Sequence, residues 1–365
     1  MKHLKALIVE KSALRANLAE VRARAGSAEL IANLSGDGQG IGLLRMAKLL
    51  REEGVGSFAV TETRDASLLR KNGFTEEHIL MLRSITDVRE LRDLLELGVI
   101  FTVGSSEAGI ALNGLATELK TVAEARVRID SGLGQYGFLP GETDKMLSIF
   151  RHMPGIAVTG MYTRLSASNV RSAAEKQYQE FSEAVALLQQ RGVEVGTVHA
   201  VDSWALFRCD FGEQAAVCIG SALIGRVPLR AANCLQKVGW VQAPLEELNW
   251  LDKGLRVGVG KGVELKKPTR VAVVDLGWYH GLGLRRQSER VENAFLAWLK
   301  RVFSSASEGY TPVFRVGNKK VKVLGQVGMT ASVLDVTKCD CSPGDTAVLD
   351  ADPRLLRGLP VELRE

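Results

Sequence analysis

Eight short β-type runs punctuate the first two-thirds of the chain, and between them lie stretches with helical periodicity. That alternation restricts the fold more than any other feature. The runs fall at 28–33, 57–60, 78–82, 99–102, 125–129, 157–161, 197–200 and 215–219. Among the intervening segments, one repeats apolar residues at helical spacing with Ile41, Leu44, Met46, Leu49 and Leu50. A second does so with Val88, Leu91, Leu94, Leu95 and Leu97, and a third with Tyr178, Phe181, Val185 and Leu188. Eight such units are what a closed (β/α)8 barrel requires. A doubly wound open sheet, the structural rival, does not need eight units so evenly spaced.

From about residue 230 the texture changes to short β runs separated by Gly, Pro and Asp turns, at 255–260, 270–274, 313–316, 320–324 and 347–349. One helical stretch, 289–302, interrupts them. The expected architecture is therefore α/β: an N-terminal (β/α)8 TIM-type barrel over 10–230, then a mainly β C-terminal domain over 231–365. A leading apolar run at 4–8 precedes a helix at about 11–25, so it is expected to cross over and join the β domain.

With 365 residues and 46% hydrophobic content, two domains with sizeable cores are the expectation. The net charge of +5 comes from interspersed acidic and basic residues, so nothing points to nucleic acid or a charged membrane surface. The densest basic stretch, 261–270, also carries Glu264 and Pro268 and reads as a solvated loop. No apolar run reaches the roughly 18–20 residues needed to span a bilayer. A cytoplasmic location is expected, and five cysteines, an odd number in a large chain, fit reduced thiols. Cys339 and Cys341 have no second Cys or His pair nearby, so no metal is expected there.

Several stretches carry a resemblance in order and spacing along most of the chain. They are S-F-A-V-T-E-T-R-D-A at 57–66, R-I-D-S-G-L-G-Q-Y-G-F at 128–138 and G-M-Y-T at 160–163. H-A-V-D-S at 199–203, G-S-A-L-I-G at 220–225 and G-Q-V-G-M at 325–329 continue the series. On these residues the chain is similar to the alanine racemases, fold type III pyridoxal-phosphate enzymes. The resemblance implies the barrel and β-domain fold, and a head-to-tail homodimer in which each β domain covers the partner's barrel mouth.

The chemistry that the resemblance implies is missing position by position. In E-L-I-A-N-L-S-G-D-G-Q-G at 29–40, the Schiff-base lysine of the family falls on Asn33. A carboxamide forms no imine, because its nitrogen lone pair is delocalised. In the same loop the phosphate tyrosine falls on Asp37 and a histidine on Gln39. The arginine that bonds the cofactor's phenolic oxygen falls on Gln135, and the lysine that many members carbamylate falls on Arg128. The histidine that stacks on the pyridine falls on Arg164, and the asparagine before the phosphate-binding Ser203 falls on Asp202. The arginine facing the pyridine nitrogen falls on Cys218, which reads as core, and the partner's catalytic tyrosine falls on Trp278. Racemisation needs an imine, an electron sink and a proton carrier on each face of the Cα. Both carriers are absent, and losses within such a unit do not add simply.

The expectation is a non-racemising homologue, a pseudoenzyme that binds a small polar or anionic ligand at the mouth. Its candidate ligand residues are Asp37, Gln39, Gln135, Arg164, Asp202, Ser203, Gly220, Ser221 and Trp278. No covalent cofactor is expected, and pyridoxal phosphate only as a weak non-covalent ligand. Ser203, Gly220 and Ser221 follow the last two barrel strands, where barrels commonly bind phosphate; Ser203 reads equally well as a helix N-cap. Tyr279 and Lys261 are the candidates to replace lost groups. Two alternatives remain: a repurposed lyase or isomerase on an amino-acid-like substrate, with Asp37 and Asp202 as acid and base, or a regulatory subunit of a true racemase paralogue. His199 is assigned a structural role and His280 a solvent-exposed one.

Overall fold

The computed structural model describes residues 4–260, 262–284 and 312–365. Lys261 and the helix expected at 289–302 lie outside the described residues. The chain divides into two units, Ala13–Lys237 and Met1–Ser12 with Val238–Glu365.

β1 (Ala6–Glu10) and α1 (Lys11–Ala25) lead into eight parallel strands. These are β2 (Glu29–Asn33), β3 (Ser57–Val60), β4 (His78–Ser84), β5 (Ile100–Val103), β6 (Ala123–Ile129), β7 (Ile156–Thr163), β8 (Thr197–His199) and β9 (Ala216–Ile219). Each pairs with its successor from β2 to β8, and β9 pairs with β2. Only one bridge, Val201↔Val217, joins the β8 side to β9, so the barrel is nearly closed. All eight expected runs are strands, because a strand covered on both faces reads as a short apolar run between turn residues.

After β2 comes a single turn, α2 (Ser35–Gln39), and then α3 (Leu43–Glu52). The later crossovers are α4 (Thr63–Lys71), α5 (Val88–Glu96), α6 (Ser106–Glu118), α7 (Thr143–His152), α8 (Arg171–Gln190) and the four-residue α9 (Ala205–Arg208). Two of them start on side-chain caps: Asp87 accepts from the Glu90 N–H at 2.9 Å and Ser105 from the Ala108 N–H at 3.2 Å. α1 is tied to the far end of this unit by Asn17. Its side chain is fully buried, donates to the carbonyls of Leu223 and Gln236 and accepts from the Gln236 N–H.

The second unit is built on β10 (Trp240–Leu251), a twelve-residue strand with an irregularity between Leu245 and Glu247. It is followed by β11 (Arg256–Val257), β12 (Val263–Glu264), β13 (Thr269–Val274), β14 (Val313–Val316), β15 (Lys319–Lys322), β16 (Ser332–Asp335), β17 (Thr346–Asp350) and β18 (Val361–Arg364). The first half of β10 pairs with β17 and the second half with β13. β1 lies antiparallel to β10 and parallel to β18, so the leading strand belongs to this sheet. Val241, Ala243, Leu245, Ala272, Phe314 and Leu334 form its core, with Cys339 and Cys341 buried among them. β10, β12, β16 and β18 were not among the expected runs, and the run at 255–260 shortens to the two residues of β11. Among the described residues no helix is long and apolar enough to cross a membrane.

Candidate active site

The lumen of the barrel can be assigned strand by strand from register. Ile31, Ala59, Leu80, Leu82, Ile100, Tyr162 and Ala216 pack together as one cluster, with Cys218 against it. Side chains two apart on a strand share a face. Asn33 therefore faces the lumen above Ile31, and Gly220 follows Cys218 on the same side. Arg128 pairs with Tyr162 and Tyr162 with His199, which puts Arg126, Arg128 and His199 on the lumen face as well. One side of the interior is thus apolar and the other, from β6 to β8, is polar.

Asn33 ends β2 with its carboxamide already engaged: Oδ1 accepts the Ser35 N–H at 2.9 Å. Gln39 folds back over it, donating from Nε2 to the Asn33 carbonyl at 3.0 Å and to the Ser35 carbonyl at 3.2 Å. Gly220 closes the contact. A Cβ there would lie 3.0 Å from Gln39 Nε2 and 3.4 Å from the Asn33 Cβ. Between Ser35 and Gly42 the backbone winds left-handed, with φ of 70° at Gly36, 56° at Asp37, 62° at Gly38 and 58° at Gln39. Two of these are not glycine, a conformation that costs an L-residue roughly 1–2 kcal/mol. Asp37 is exposed, and its Oδ1 accepts the Leu43 N–H at 2.9 Å, so it caps α3.

On the adjoining part of the rim Ser203 is buried, and its Oγ accepts the N–H groups of Gly220 at 3.0 Å and Ala222 at 3.1 Å. The N-cap reading of Ser203 is corrected. The cap of α9 is Asp202, whose Oδ1 accepts from Trp204 and Ala205 at 3.0 and 2.9 Å. The other carboxylate oxygen of Asp202 takes the Ser168 hydroxyl at 3.1 Å. Burial pushes the Asp202 carboxyl up, against the pull of these bonds and of Arg164. Asp65 is raised chiefly by burial, with Glu62 and Asp37 adding smaller pushes. The Cys218 thiol is pushed up to about 11 by burial, with Arg164 pulling it down.

Gln135 is exposed, with its backbone N–H held by Asp130 Oδ2 at 2.8 Å. Asp130 also binds the N–H groups of Gly132 and Leu133, which fixes the loop after β6. Arg164 is exposed at the end of β7, and Ser221 is partly buried. So Asn33, Gln39, Ser203 and Gly220 come together, while Asp37 and Gln135 face outward.

Trp278 belongs to the other unit. It opens a tight 3-10 turn, Trp278–His280, rather than a strand, so the alternation that separates Trp278 from Tyr279 does not apply. Both side chains are about half exposed, at 52% and 50%. His280 corrects the expectation of exposure: it is buried, with Nδ1 accepting the Gly277 N–H at 3.2 Å and Nε2 3.1 Å from Lys5 Nζ. Burial lowers its pKa, and Lys5 adds to the effect. Arg126, Tyr162, Thr102 and Ser168 were not anticipated as lumen or rim residues. The alternating arginines of the strand A-E-A-R-V-R-I at 123–129 were the available signal, since charge in an otherwise apolar barrel strand must face the interior.

None of the six lysines of the barrel unit lies on a strand. Lys48, Lys71, Lys145 and Lys176 sit on α3, α4, α7 and α8, Lys120 follows α6, and Lys237 precedes β10.

A nearly closed barrel with polar groups at the carboxyl ends of its strands, followed by a β unit, defines a barrel enzyme scaffold with its site at that end. The chain belongs to the alanine racemase family. The model of the alanine racemase N-terminal domain matches residues 9–228, and that of the C-terminal domain matches 238–355. The alanine racemase of Clostridium perfringens is 26% identical over 343 residues, covering 91% of this chain and 82% of that one. Alanine racemase 1 of Caldanaerobacter subterraneus is 23% identical over 345 residues, covering 92% and 83%. The solved alanine racemase of Clostridium difficile superposes with a TM-score of 0.85 at 20% identity, covering 100% of this chain and 97% of that chain. That of Streptomyces lavendulae gives 0.83 at 18% identity, covering 100% and 98%.

Proposed function

We propose that this chain is a non-racemising member of its family, which binds a small polar or anionic ligand at the barrel mouth without forming an imine. The observation that carries the reading is the distribution of amines. Asn33 stands at the strand end, and no lysine of the barrel unit is on a barrel strand: four are on helices, Lys120 follows α6 and Lys237 lies 18 residues beyond the end of β9, just before β10. The residues present do not fit a covalently held pyridoxal phosphate. The position for an amine holds a carboxamide bonded to the Ser35 N–H. Two N–H groups suited to a phosphate, on Gly220 and Ala222, are taken by Ser203 Oγ. A protonated thiol, Cys218, faces the lumen where the family's pyridine nitrogen needs a cation.

The same inventory favours an anion over a cation. Arg128 and Arg164 contribute fixed charge, while Asp202 is pushed toward its neutral form. The protein is proposed to work as a homodimer, with the exposed Trp278 turn of one subunit as a cover for the other's ligand.

Once unbound pyridoxal phosphate is removed, protein incubated with it should keep no absorbance band at the visible edge, show no mass increment after borohydride, and give no alanine racemisation above that of free cofactor. A borohydride-stable adduct on any lysine, Lys261 included, together with racemisation would overturn the reading. One observation favours a second reading, a repurposed acid–base enzyme: the raised carboxyl of Asp202. In that case Asp202→Asn abolishes turnover and leaves ligand binding intact.

A further inference from the structure

His280 sits where two hydrogen-bond donors converge on a ring that can answer only one of them. The Gly277 N–H points at Nδ1 from 3.2 Å, and Lys5 Nζ lies 3.1 Å from Nε2. Asp275 ties Lys5 to this place, its Oδ2 accepting from Nζ at 2.7 Å. A neutral imidazole has one acceptor nitrogen and carries its proton on the other, whereas a lysine ammonium only donates. Whichever tautomer is present, one ring nitrogen makes its bond and the other meets a donor.

The seat is closed on its other sides. His280 is 4% exposed, and the Tyr279 ring meets its ring edge to face, with centroids 5.3 Å apart. On the segment before β18, a Cβ at Gly358 would lie 3.9 Å from His280 Cδ2. The neighbouring Arg357 gives its N–H to the His280 carbonyl at 3.4 Å and is itself exposed. Lys5, ahead of β1, and Asp275, after β13, are therefore the charged groups that act on the ring among the described residues. A second proton changes the count. An imidazolium has two N–H groups and no acceptor, so both contacts become donor against donor and its charge faces that of Lys5. Asp275 answers part of that charge, but its Oδ2 is already engaged by Lys5. Burial lowers the His280 pKa most, Lys5 lowers it further, and Asp275 raises it.

What the ring holds is the start of the turn that carries Trp278 and Tyr279. Gly277 gives its N–H to the ring, while its carbonyl accepts from His280 at 3.0 Å and from Leu282 at 3.2 Å. With the ring out, the Gly277 N–H loses that partner and Tyr279 loses the ring it packs on. We propose that His280 is an acid-operated latch on this turn. Neutral, it stays seated and holds the two aromatic side chains in place; protonated, it leaves and the turn loosens. Its folded-state pKa lies below the unfolded 6.5, so the stabilisation is whole above pH 6.5 and is lost as pH falls through the folded value. The latch needs no ligand at the barrel mouth and no partner subunit, so it stands apart from the proposed function.

The test uses the full chain with 15N-labelled histidine and 5-fluorotryptophan. The His280 and Trp278 signals are identified by their loss in His280→Gln and Trp278→Phe. Lowering the pH from 8 should protonate His280 below pH 6.5 and shift the Trp278 fluorine signal reversibly with the same midpoint. His280→Gln should leave the Trp278 signal independent of pH over that range. Lys5→Met, which keeps the stem and removes the charge, should raise both midpoints by about one pH unit, and Asp275→Asn should lower them by as much. Should one of these variants not fold, the native midpoints and the other charge variant decide the matter. A Trp278 signal that stays flat while His280 titrates, or that titrates alike in His280→Gln, would overturn the proposal. So would midpoints that both charge variants move in the same direction, or a His280 ring still neutral where the chain unfolds in acid.

Discussion

Asp202 spends its charge on bonds that a neutral amide makes equally well. Two backbone N–H groups share Oδ1, and the Ser168 hydroxyl donates to Oδ2. An asparagine keeps the first pair and can donate to Ser168 Oγ in return. Because burial raises its folded-state pKa above the unfolded value, Asp202 contributes stability that is complete below the unfolded pKa of 3.8 and is lost as pH rises through the folded pKa. Asp202→Asn should therefore melt higher than the native protein at neutral pH, with the gap closing as pH falls through the carboxylate range. A Tm–pH series on both proteins checks this; a variant less stable at every pH would mean that Arg164 compensates the charge fully. At this scale the sequence made strand position legible, as for Asn33 at the end of β2. It missed the role of Ser203, whose Oγ accepts from donors 17 and 19 residues away, and of His280, buried against Lys5 from the far end of the chain.

The turn after β2 is held by its own hydrogen bonds. Gly36 to Gln39 wind left-handed, Gln39 covers the Asn33 carbonyl, and Asp37 caps α3. Asp37→Ala removes the cap and leaves a Cβ residue at φ 56°. It should cost about 1–2 kcal/mol, the range for lost caps. Asp37→Asn retains the acceptor and tolerates the left-handed region, so it should stay within about 0.5 kcal/mol. Urea denaturation of both variants measures the difference. Anion binding at the mouth should be the same in both, and a loss shared by Asp37→Asn, which keeps the cap, would return Asp37 to the ligand set. The eight barrel strands and their helices were legible because each is a contiguous apolar pattern. β10 was not, because its outward half carries Glu246, Glu247 and Asn249, and Pro244 interrupts it. Only pairing with β13 and β17, distant in sequence, makes it a strand.

At the scale of the molecule, a group of exposed apolar side chains stands on the β unit. Trp278 is 52% exposed, Tyr279 50% and Met329 56%. They are neighbours, since the Trp278 N–H donates to the Gly328 carbonyl at 2.9 Å and the Tyr279 N–H to the Met329 carbonyl at 3.0 Å. Val259, 56% exposed, lies beside them, its Cγ2 3.7 Å from where a Cβ would stand on Gly328. Large apolar residues grouped this way on a soluble surface mark a contact site. A second copy of the chain is the partner that the proposed dimer supplies. The turn's backbone is fixed by these main-chain bonds and by buried His280, so replacing the two aromatic side chains leaves the fold intact. The double variant Trp278→Glu with Tyr279→Glu should therefore sediment as a monomer at concentrations where the native chain is a dimer, with an unchanged far-UV spectrum. It should also bind its anion at the mouth more weakly, because desolvation by the cover is lost while the rim of Asn33, Ser203 and Gly220 stays in place. A native chain that sediments as a monomer at high concentration, or a double variant that stays dimeric with full affinity, would assign the aromatic turn to some other contact.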